Sequence, residues 1–221
     1  MTSADLRSLI TAMLPAAAAR WYQEAAARVT AAPDAIHDLF PAVGRCCGRA
    51  PLGLGDGALA GWTVDDGIRS LLLDVLPLTG PRLLATAGEL YRHGDAAERR
   101  GVLRALTLLG RRPDFGEGAL AIVADAIRTN DRRLISAALG EYAARYLGAA
   151  EYRQAVLKCV FCGIPLANVA GLAERADVGL ARALMDFARE REAAGRAVPA
   201  DIGPLISSVW PGGSAHEVPA P

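Results

Sequence analysis

Apolar residues recur every three or four positions along most of this chain, which is the spacing of one face of an α-helix. The first such run covers about residues 3–30, where Pro15 predicts a kink, and a second helix is expected after Pro33. A glycine-rich stretch at residues 44–61 follows and predicts a loop. The chain therefore starts with two predicted helices and a long connection.

From Thr63 onward, signals for helix starts and helix ends alternate along the chain. Thr63 with Asp66 predicts a capping box, and further helices are expected to start near Pro81 and Asp95. The fold class that this pattern predicts is all-α. The later predicted helices lie at residues 131–139, 151–161, 169–176 and 178–195, with a less certain segment at residues 142–148.

The predicted helix pairs begin at regular intervals. Their starts, near Thr63, Asp95, Asp131 and Leu166, are roughly 32 to 36 residues apart, a period typical of stacked helix pairs. We therefore expect stacked antiparallel helix pairs of a HEAT-like kind. An irregular helical bundle is the alternative, because no sharp residue signature repeats with this period.

The length of 221 residues fits one domain better than two independent ones. Residues 1–61 are expected to supply the N-terminal helices and the glycine-rich loop. Residues 62–210 are expected to form the repeat region and to pack with the first part as one domain. Residues 211–221 lack helical periodicity and are predicted to be a disordered tail.

The balance of charges bears on the expected partner, and the lack of targeting and membrane-spanning patterns bears on the expected location. Lysine plus arginine and aspartate plus glutamate both number 24, so no basic field is available for a phosphate backbone, and nucleic acid is not an expected partner. The start of the chain lacks the features of a signal peptide, and no apolar run is long enough to span a membrane. A cytoplasmic protein is therefore expected.

Lys158 is the most unusual charged residue, because it lies within an apolar helical run, with Gln154 four residues earlier on the same face. A desolvated lysine can transfer protons, form an imine or hold an anion. Alternatively, its aliphatic stem can pack while its amine reaches solvent or an ion-pair partner. Gln154 and Lys158 are therefore the catalytic candidates, with a structural role as the competing interpretation.

Two further polar groups admit both interpretations. Asp125 and Arg128 are three residues apart and can pair locally, while Asn130 can cap the following helix. The functional alternative is that Arg128 clamps a carboxylate or a phosphate. Asp66 and Arg69 allow the same choice, with capping as the structural role.

No metal centre or cofactor is expected from the sequence. Cys159 and Cys162 have a CxxC spacing and Cys46 and Cys47 are adjacent, but adjacent residues point in divergent directions on a helix, and Cys159 and Cys162 lie in an apolar run without the turn of a zinc site, so buried packing is the simpler role. Three scattered histidines form no metal-binding pattern. Neither a phosphate-binding loop, nor a dinucleotide fingerprint, nor a nucleophile elbow is present.

Three segments together resemble the EboA-domain family. They are GWTVDDGIRSLLLDVLP from residue 61, DAIRTN from residue 125, and EYRQAVLKCVFCGIPLANVAGLAERADVGLARALMDFAREREAAGRAV from residue 151. The resemblance is strongest over residues 62–198 and is specific as an ordered set of motifs. The matching aromatic and polar positions are Trp62, Asp66, Arg69, Arg128, Thr129, Asn130, Gln154 and Lys158.

The chain departs from the family pattern at two places. Residues 152–155 read Tyr-Arg-Gln-Ala where the family has Trp-Asn-Gln-Met, and residues 140–143 read Gly-Glu-Tyr-Ala in place of Asn-Pro-Tyr-Pro. The resemblance implies a diverged member with a role in small-molecule biosynthesis or trafficking. Family members are encoded beside a prenyltransferase-like membrane protein, a barrel hydrolase and a sugar-phosphate cyclase-like enzyme.

Three functional hypotheses follow, and whether the protein is an enzyme stays open. The leading hypothesis is a protein that binds a metabolite or a pathway partner in a groove between helices, using Trp62, Asp66, Arg69, Asp125, Arg128 and Asn130. The second is an enzyme of the same pathway whose polar pocket is centred on Lys158. The third is a pure interaction scaffold, which predicts an extended apolar patch and no enclosed polar pocket.

Overall fold

The computed structural model describes residues 2–53 and 59–210 of the chain. Within these residues it contains α-helices, two short 3-10 turns and one isolated β-bridge, with no sheet, so the predicted all-α class is confirmed. The helices are α1 (Ser3–Met13), α2 (Ala16–Ala31), α3 (Ile36–Cys47), α4 (Val64–Asp74), α5 (Gly80–His93), α6 (Ala96–Leu109), α7 (Leu120–Arg128), α8 (Arg132–Ala138), α9 (Glu141–Tyr146), α10 (Ala149–Cys162), α11 (Leu172–Arg175), α12 (Val178–Ala193) and α13 (Ile202–Val209). The predicted disordered tail and part of the glycine-rich loop lie outside the described residues.

Pro15 separates two helices and does not kink a single one. Leu14 has an extended backbone, with φ −76° and ψ 136°, and α2 begins directly after Pro15. The residue before a proline is driven out of the helical region, and proline has no N–H for the helical ladder. The prediction of one kinked helix over residues 3–30 was therefore wrong at this position.

Polar caps set the helix starts that the sequence predicts. The Asp66 carboxylate accepts from the Thr63 N–H at 3.1 Å at the start of α4. Asp95 accepts from two backbone N–H groups of α6, both at 2.8 Å, and Asp131 accepts from the Arg133 N–H of α8 at 2.9 Å. Because the caps satisfy otherwise unpaired helix donors, these three predicted starts are confirmed.

Alternate helices pack in a row from the middle of the chain to its end. Helix α4 contacts α6, α6 contacts α8, α8 contacts α10 and α10 contacts α12, while α5 and α7 pack beside α6 and α8. Side-chain hydrogen bonds join four pairs of described residues that are 34 positions apart, which fits the predicted period. These pairs are Asp66 with Arg100, Leu78 with Arg112, Gly80 with Asp114 and Tyr91 with Asp125. The HEAT-like architecture stays a prediction that this row favours.

The contact between α4 and α6 is the most extensive one in the described fold. All residues from Val64 to Leu73 are buried, and α4 also contacts α1, α2 and α3. Gly101 of α6 permits the close approach, because a Cβ at this position would lie 2.5 Å from Cδ of Arg69. The N-terminal helices and the later row thus share one core around α4.

Two helices were not firmly predicted. Helix α9 forms in the segment at residues 142–148, and α13 forms where no helix was expected and packs on α12. Ile202 of α13 is buried, whereas α9 contributes Tyr142 and Ala143 to the core.

None of the helices in residues 2–53 and 59–210 has both the length and the hydrophobicity that crossing a bilayer requires.

We expect Gly101→Ala to lower the free energy of unfolding by about 1–3 kcal/mol, because the new methyl group overpacks the contact between α4 and α6. Gly88→Ala is the matched control, since no atom lies within 4 Å of the Cβ it would add to α5. This control should raise stability by about 0.5–1 kcal/mol through helix propensity. Urea unfolding followed by circular dichroism measures both, and equal stabilisation by the two variants would contradict the packing argument.

Candidate functional site

A buried cluster of charged side chains joins α4 to α6. Asp65 and Asp66 are both completely buried. Arg69, one turn further along α4, lies 2.6 Å from Asp65 through its Nη1 and donates from Nε to the Phe40 carbonyl at 3.1 Å. This arginine has the ion-pair and hydrogen-bond partners that burial of a charge requires.

Arg100 of α6 is held by the second carboxylate. Its Nε donates to both oxygens of Asp66, at 2.8 and 2.9 Å, and its Nη2 donates to the Thr63 hydroxyl at 2.9 Å. Burial raises the pKa of Asp66, and the Arg100 charge opposes that shift. Asp66 therefore caps α4 and anchors α6 with the same carboxylate.

Arg104 lies one turn after Arg100 on the same face of α6 and has no comparable partner. The residue is 6% exposed, yet its Nε makes no hydrogen bond, and Nη2 reaches only the Ala60 and Gly61 carbonyls at 3.5 Å. Its guanidinium carbon lies 5.3 Å from the centre of the Trp62 ring. Burial lowers the pKa of Arg104 to about 10, so the group stays positively charged at neutral pH.

The buried cluster therefore has an excess of positive charge. Its two carboxylates are engaged by Arg69 and Arg100, and the more exposed Arg49 lies 4.0 Å from Asp65. Among the described residues, no carboxylate lies within ion-pair distance of Arg104. An uncompensated buried guanidinium is unfavourable for folding, and it attracts an anion.

Arg104 faces an open cleft of about 710 Å³, which we name the arginine cleft. Its residues come from the start of α4, from α6, from the start of α8 and from the segment after α10. They are Gly61, Thr63, Arg100, Arg104, Asn130, Asp131, Arg132, Arg133, Ser136, Ile164, Pro165 and Asn168. Four arginines and one aspartate make the lining basic, in a chain that is formally neutral.

Two of the four cleft arginines have no carboxylate partner among the described residues. Arg100 is paired with Asp66, and Arg133 is paired with Asp131 at 2.9 Å. Arg132 is exposed and donates to the Gly163 carbonyl, which is a dipole and carries no full charge. With Arg104 it gives the cleft two cationic groups for which the described residues provide no carboxylate partner.

A second cavity of about 240 Å³ adjoins the cleft, and we name it the Trp62 cavity. Arg104 and Asn168 line both spaces, so the guanidinium lies at their boundary. Trp62, Thr107 and Gly140 line the smaller cavity as well. Trp62 is held in place because the neighbouring Leu52 N–H donates to its carbonyl at 2.9 Å.

Lys158, the only lysine in the chain, reaches the end of α7 and lines none of the described cavities. Its Nζ donates to the Thr129 carbonyl at 2.8 Å, and the side chain is half-buried. A cation bonded to the C-terminal carbonyls of a helix stabilises that end. The amine thus contacts the Arg128–Asn130 segment, whereas Gln154, the second catalytic candidate, is exposed and makes no hydrogen bond to the described residues.

The residues of the Asp125–Asn130 segment point to different spaces. Asp125 accepts hydrogen bonds from the Tyr91 hydroxyl at 2.9 Å and from Arg128 at 3.4 Å. Asp125 and Arg128 both line a cavity of about 630 Å³ near α5. Burial, followed by the contact with Asp125, raises the pKa of Tyr91. Asn130 lines the arginine cleft instead. The structure thus does not bring all the predicted ligand-binding residues into one site.

Sequence reasoning missed the arginines that define the cleft. Arg104 interrupts an apolar helical run, as Lys158 does, and this shared pattern was the available signal. Its missing partner could not be read from the sequence, because the pairing of Arg100 with Asp66 spans 34 residues. Arg132 and Arg133 follow the Asp131 cap and had no distinguishing pattern of their own.

Three of the four cysteines pack in or against the core, and the predicted burial is wrong for Cys46. Cys47 and Cys159 are buried, Cys162 is half-buried and Cys46 is exposed. Burial raises the pKa of the Cys47 and Cys159 thiols to about 12, which disfavours the thiolate form. The part of the chain that the structure describes contains no group of three or more His, Cys, Asp or Glu residues placed to hold a metal ion.

The model of one protein family, described as metabolite traffic protein EboA, matches residues 2–207 of the chain. The match includes every helix of the row and all residues of the arginine cleft. Comparison with the curated proteins gave no match, and comparison with the solved structures also gave none.

We expect Arg104→Met and Arg69→Met to have opposite effects on stability, although both remove a buried guanidinium. Arg104→Met should leave the free energy of unfolding unchanged or raise it by up to about 3 kcal/mol, because it removes an unpaired buried charge. Arg69→Met should lower the free energy of unfolding by about 3–5 kcal/mol, because it leaves Asp65 without its closest partner. Urea unfolding at pH 7 measures both variants, and a large loss with Arg104→Met would show that Arg104 is a structural residue.

Lys158→Met retains most of the apolar stem and removes the amine. We expect it to lower the free energy of unfolding by about 1 kcal/mol, through loss of the hydrogen bond at the end of α7. Lys158→Arg is the control that keeps the charge. Urea unfolding measures both variants, and unchanged stability of Lys158→Met would contradict this structural role.

Proposed function

The chain belongs to the EboA family of metabolite traffic proteins, and on this basis we propose that it binds a small metabolite in the arginine cleft. Family membership supports a metabolite-related role, and the described structure supports the location. The protein acts as a binding component of a small-molecule pathway. The ligand is held between helices, with an anionic group directed toward α6.

One observation carries this proposal: the charge of Arg104 is buried without a carboxylate partner at the boundary of two cavities. Because the Arg104 guanidinium is already buried in the folded protein, a ligand anion would pair with it without any further desolvation of the cation. The guanidinium is already buried against the Trp62 ring, so little side-chain entropy is lost on binding. These features favour a preformed ligand site.

The contact of Lys158 and the distribution of exposed apolar residues favour a binding function over the two alternatives, an enzyme and an interaction scaffold. An enzyme centred on Lys158 requires an available amine, whereas this amine is engaged by the Thr129 carbonyl. A pure interaction scaffold would present an extended apolar face, but the large exposed apolar residues of the described chain lie on separate helices: Leu9 and Met13 on α1, Phe161 on α10 and Val178 on α12.

The diverged segment at residues 140–143 borders the smaller space. Gly140 and Glu141 line the Trp62 cavity, next to Arg104. We place the variable portion of the ligand in this cavity and its anionic portion in the arginine cleft. This division allows a member with a different segment at residues 140–143 to hold a different metabolite with the same arginine.

We expect the protein to retain a specific compound from a small-molecule extract of the cells that produce it. The wild-type chain is incubated with the extract, separated by gel filtration and denatured, and the released compounds are identified by mass spectrometry. Asn168→Trp should abolish retention, because the indole would fill the boundary between the cleft and the Trp62 cavity.

Ala150→Trp is the matched control, since Ala150 is exposed at the start of α10 and lines none of the described cavities. It should retain the compound as the wild type does. Circular dichroism and urea unfolding establish that both tryptophan variants fold. Equal retention by Asn168→Trp and Ala150→Trp, or no retention by the wild type, would contradict the proposed function.

A further inference from the structure

The arginine cleft carries more positive charge than a single carboxylate would balance. Arg104 and Arg132 both face it, and the described residues provide neither with a carboxylate partner. A carboxylate brings one negative charge, whereas a phosphate monoester brings about 1.5 to 2 at neutral pH. The charge of the cleft therefore matches a phosphoryl group better than a carboxylate.

Neutral hydrogen-bond donors in the cleft point in the same direction. The side chains of Asn130, Ser136 and Asn168 line it and make no hydrogen bond to other described residues. A carboxylate has two acceptor oxygens, whereas a terminal phosphoryl group has three and can engage more donors at once. Amide and hydroxyl donors beside guanidinium groups are a common way to hold phosphate.

We infer that the arginine cleft binds the phosphoryl group of a phosphate or diphosphate ester, with the buried Arg104 as its main ligand and Arg132 as a second cationic contact. The inference rests on the proposed function and names its substrate class. The organic part of the ester extends from Arg104 into the Trp62 cavity, which adjoins the cleft at this residue.

The position of Arg104 explains why a phosphoryl group would select it over the other arginines. Arg100 and Arg133 already donate to Asp66 and Asp131. The Arg104 guanidinium has an Nε without an acceptor and only two long contacts from Nη2. An oxyanion would thus add hydrogen bonds at Arg104, whereas it would compete with existing ones at Arg100 and Arg133.

The test uses the full-length protein with inorganic phosphate, pyrophosphate and acetate as probes at constant ionic strength. Isothermal titration calorimetry gives the dissociation constants, and the arginine Nε–H region of a ¹⁵N-correlated NMR spectrum reports on the guanidiniums. We expect both phosphate probes to bind at least ten-fold more tightly than acetate and to shift the Nε–H signal that Arg104→Lys removes. Binding of acetate as tight as phosphate would overturn the phosphoryl assignment.

Three variants locate the binding. Arg104→Gln should raise the dissociation constant of phosphate at least ten-fold, and Arg132→Gln should raise it several-fold while leaving the core untouched, because Arg132 is exposed. Arg28→Gln is the control, since Arg28 is exposed on α2 and lines none of the described cavities. If Arg104→Gln fails to fold, the Arg132 and Arg28 variants and the Nε–H signal of the wild type still decide the question.

The outcomes separate this inference from the proposed function. Retention of a compound without a phosphoryl group, blocked by Asn168→Trp, would leave the binding function in place and overturn the phosphoryl assignment. Phosphate binding that depends on Arg104, without any compound retained from the extract, would support the anion site and contradict metabolite binding. An equal effect of the Arg104, Arg132 and Arg28 variants would show that phosphate binds to the basic surface without a defined site.

Discussion

The close packing of α4 against α6 around buried charges is the constraint on which the rest of the structure depends. Asp66 caps α4 and binds Arg100 with the same carboxylate, so the start of one helix is coupled to the position of another. Gly101 allows the approach, and the side chain of Arg69 fills the space that this glycine leaves. The position of α6 against α4 then fixes where the later helices of the row pack, and it also determines the shape of the arginine cleft.

Much of the fold could be predicted from the sequence because its signals are local. Caps at Asp66, Asp95 and Asp131 mark helix starts, and the helical periodicity between them gives the all-α class. The elements that were missed depend on distant contacts: α9 is fixed by Tyr142, whose hydroxyl donates to the Gly116 carbonyl at 2.8 Å, and α13 is fixed by packing on α12.

The candidate site could be predicted only in part, because a partner can be inferred from spacing only within one helix. Lys158 and Arg104 have the same pattern, a cation in an apolar helical run, yet the first has a backbone acceptor and the second has none. Asn130 and Arg128 are neighbours in one motif but line different cavities, since the helix ends between them. The motif therefore points to a region of the chain, and only the fold shows which cavity each of its residues lines.

The unpaired charge of Arg104 also conflicts with the requirements of stability alone. The chain follows several rules of folding consistently: α1, α6, α8 and α12 have side-chain N-caps, and the neighbouring buried arginine has both an ion-pair and a hydrogen-bond partner. A neutral side chain of similar size could fill the space under Trp62 without the desolvation of a guanidinium. Departures from consistency are expected where a protein must bind something, because the missing interaction is then supplied by the ligand. Arg104 is such a departure, and its position between the arginine cleft and the Trp62 cavity indicates where an anion would bind to it.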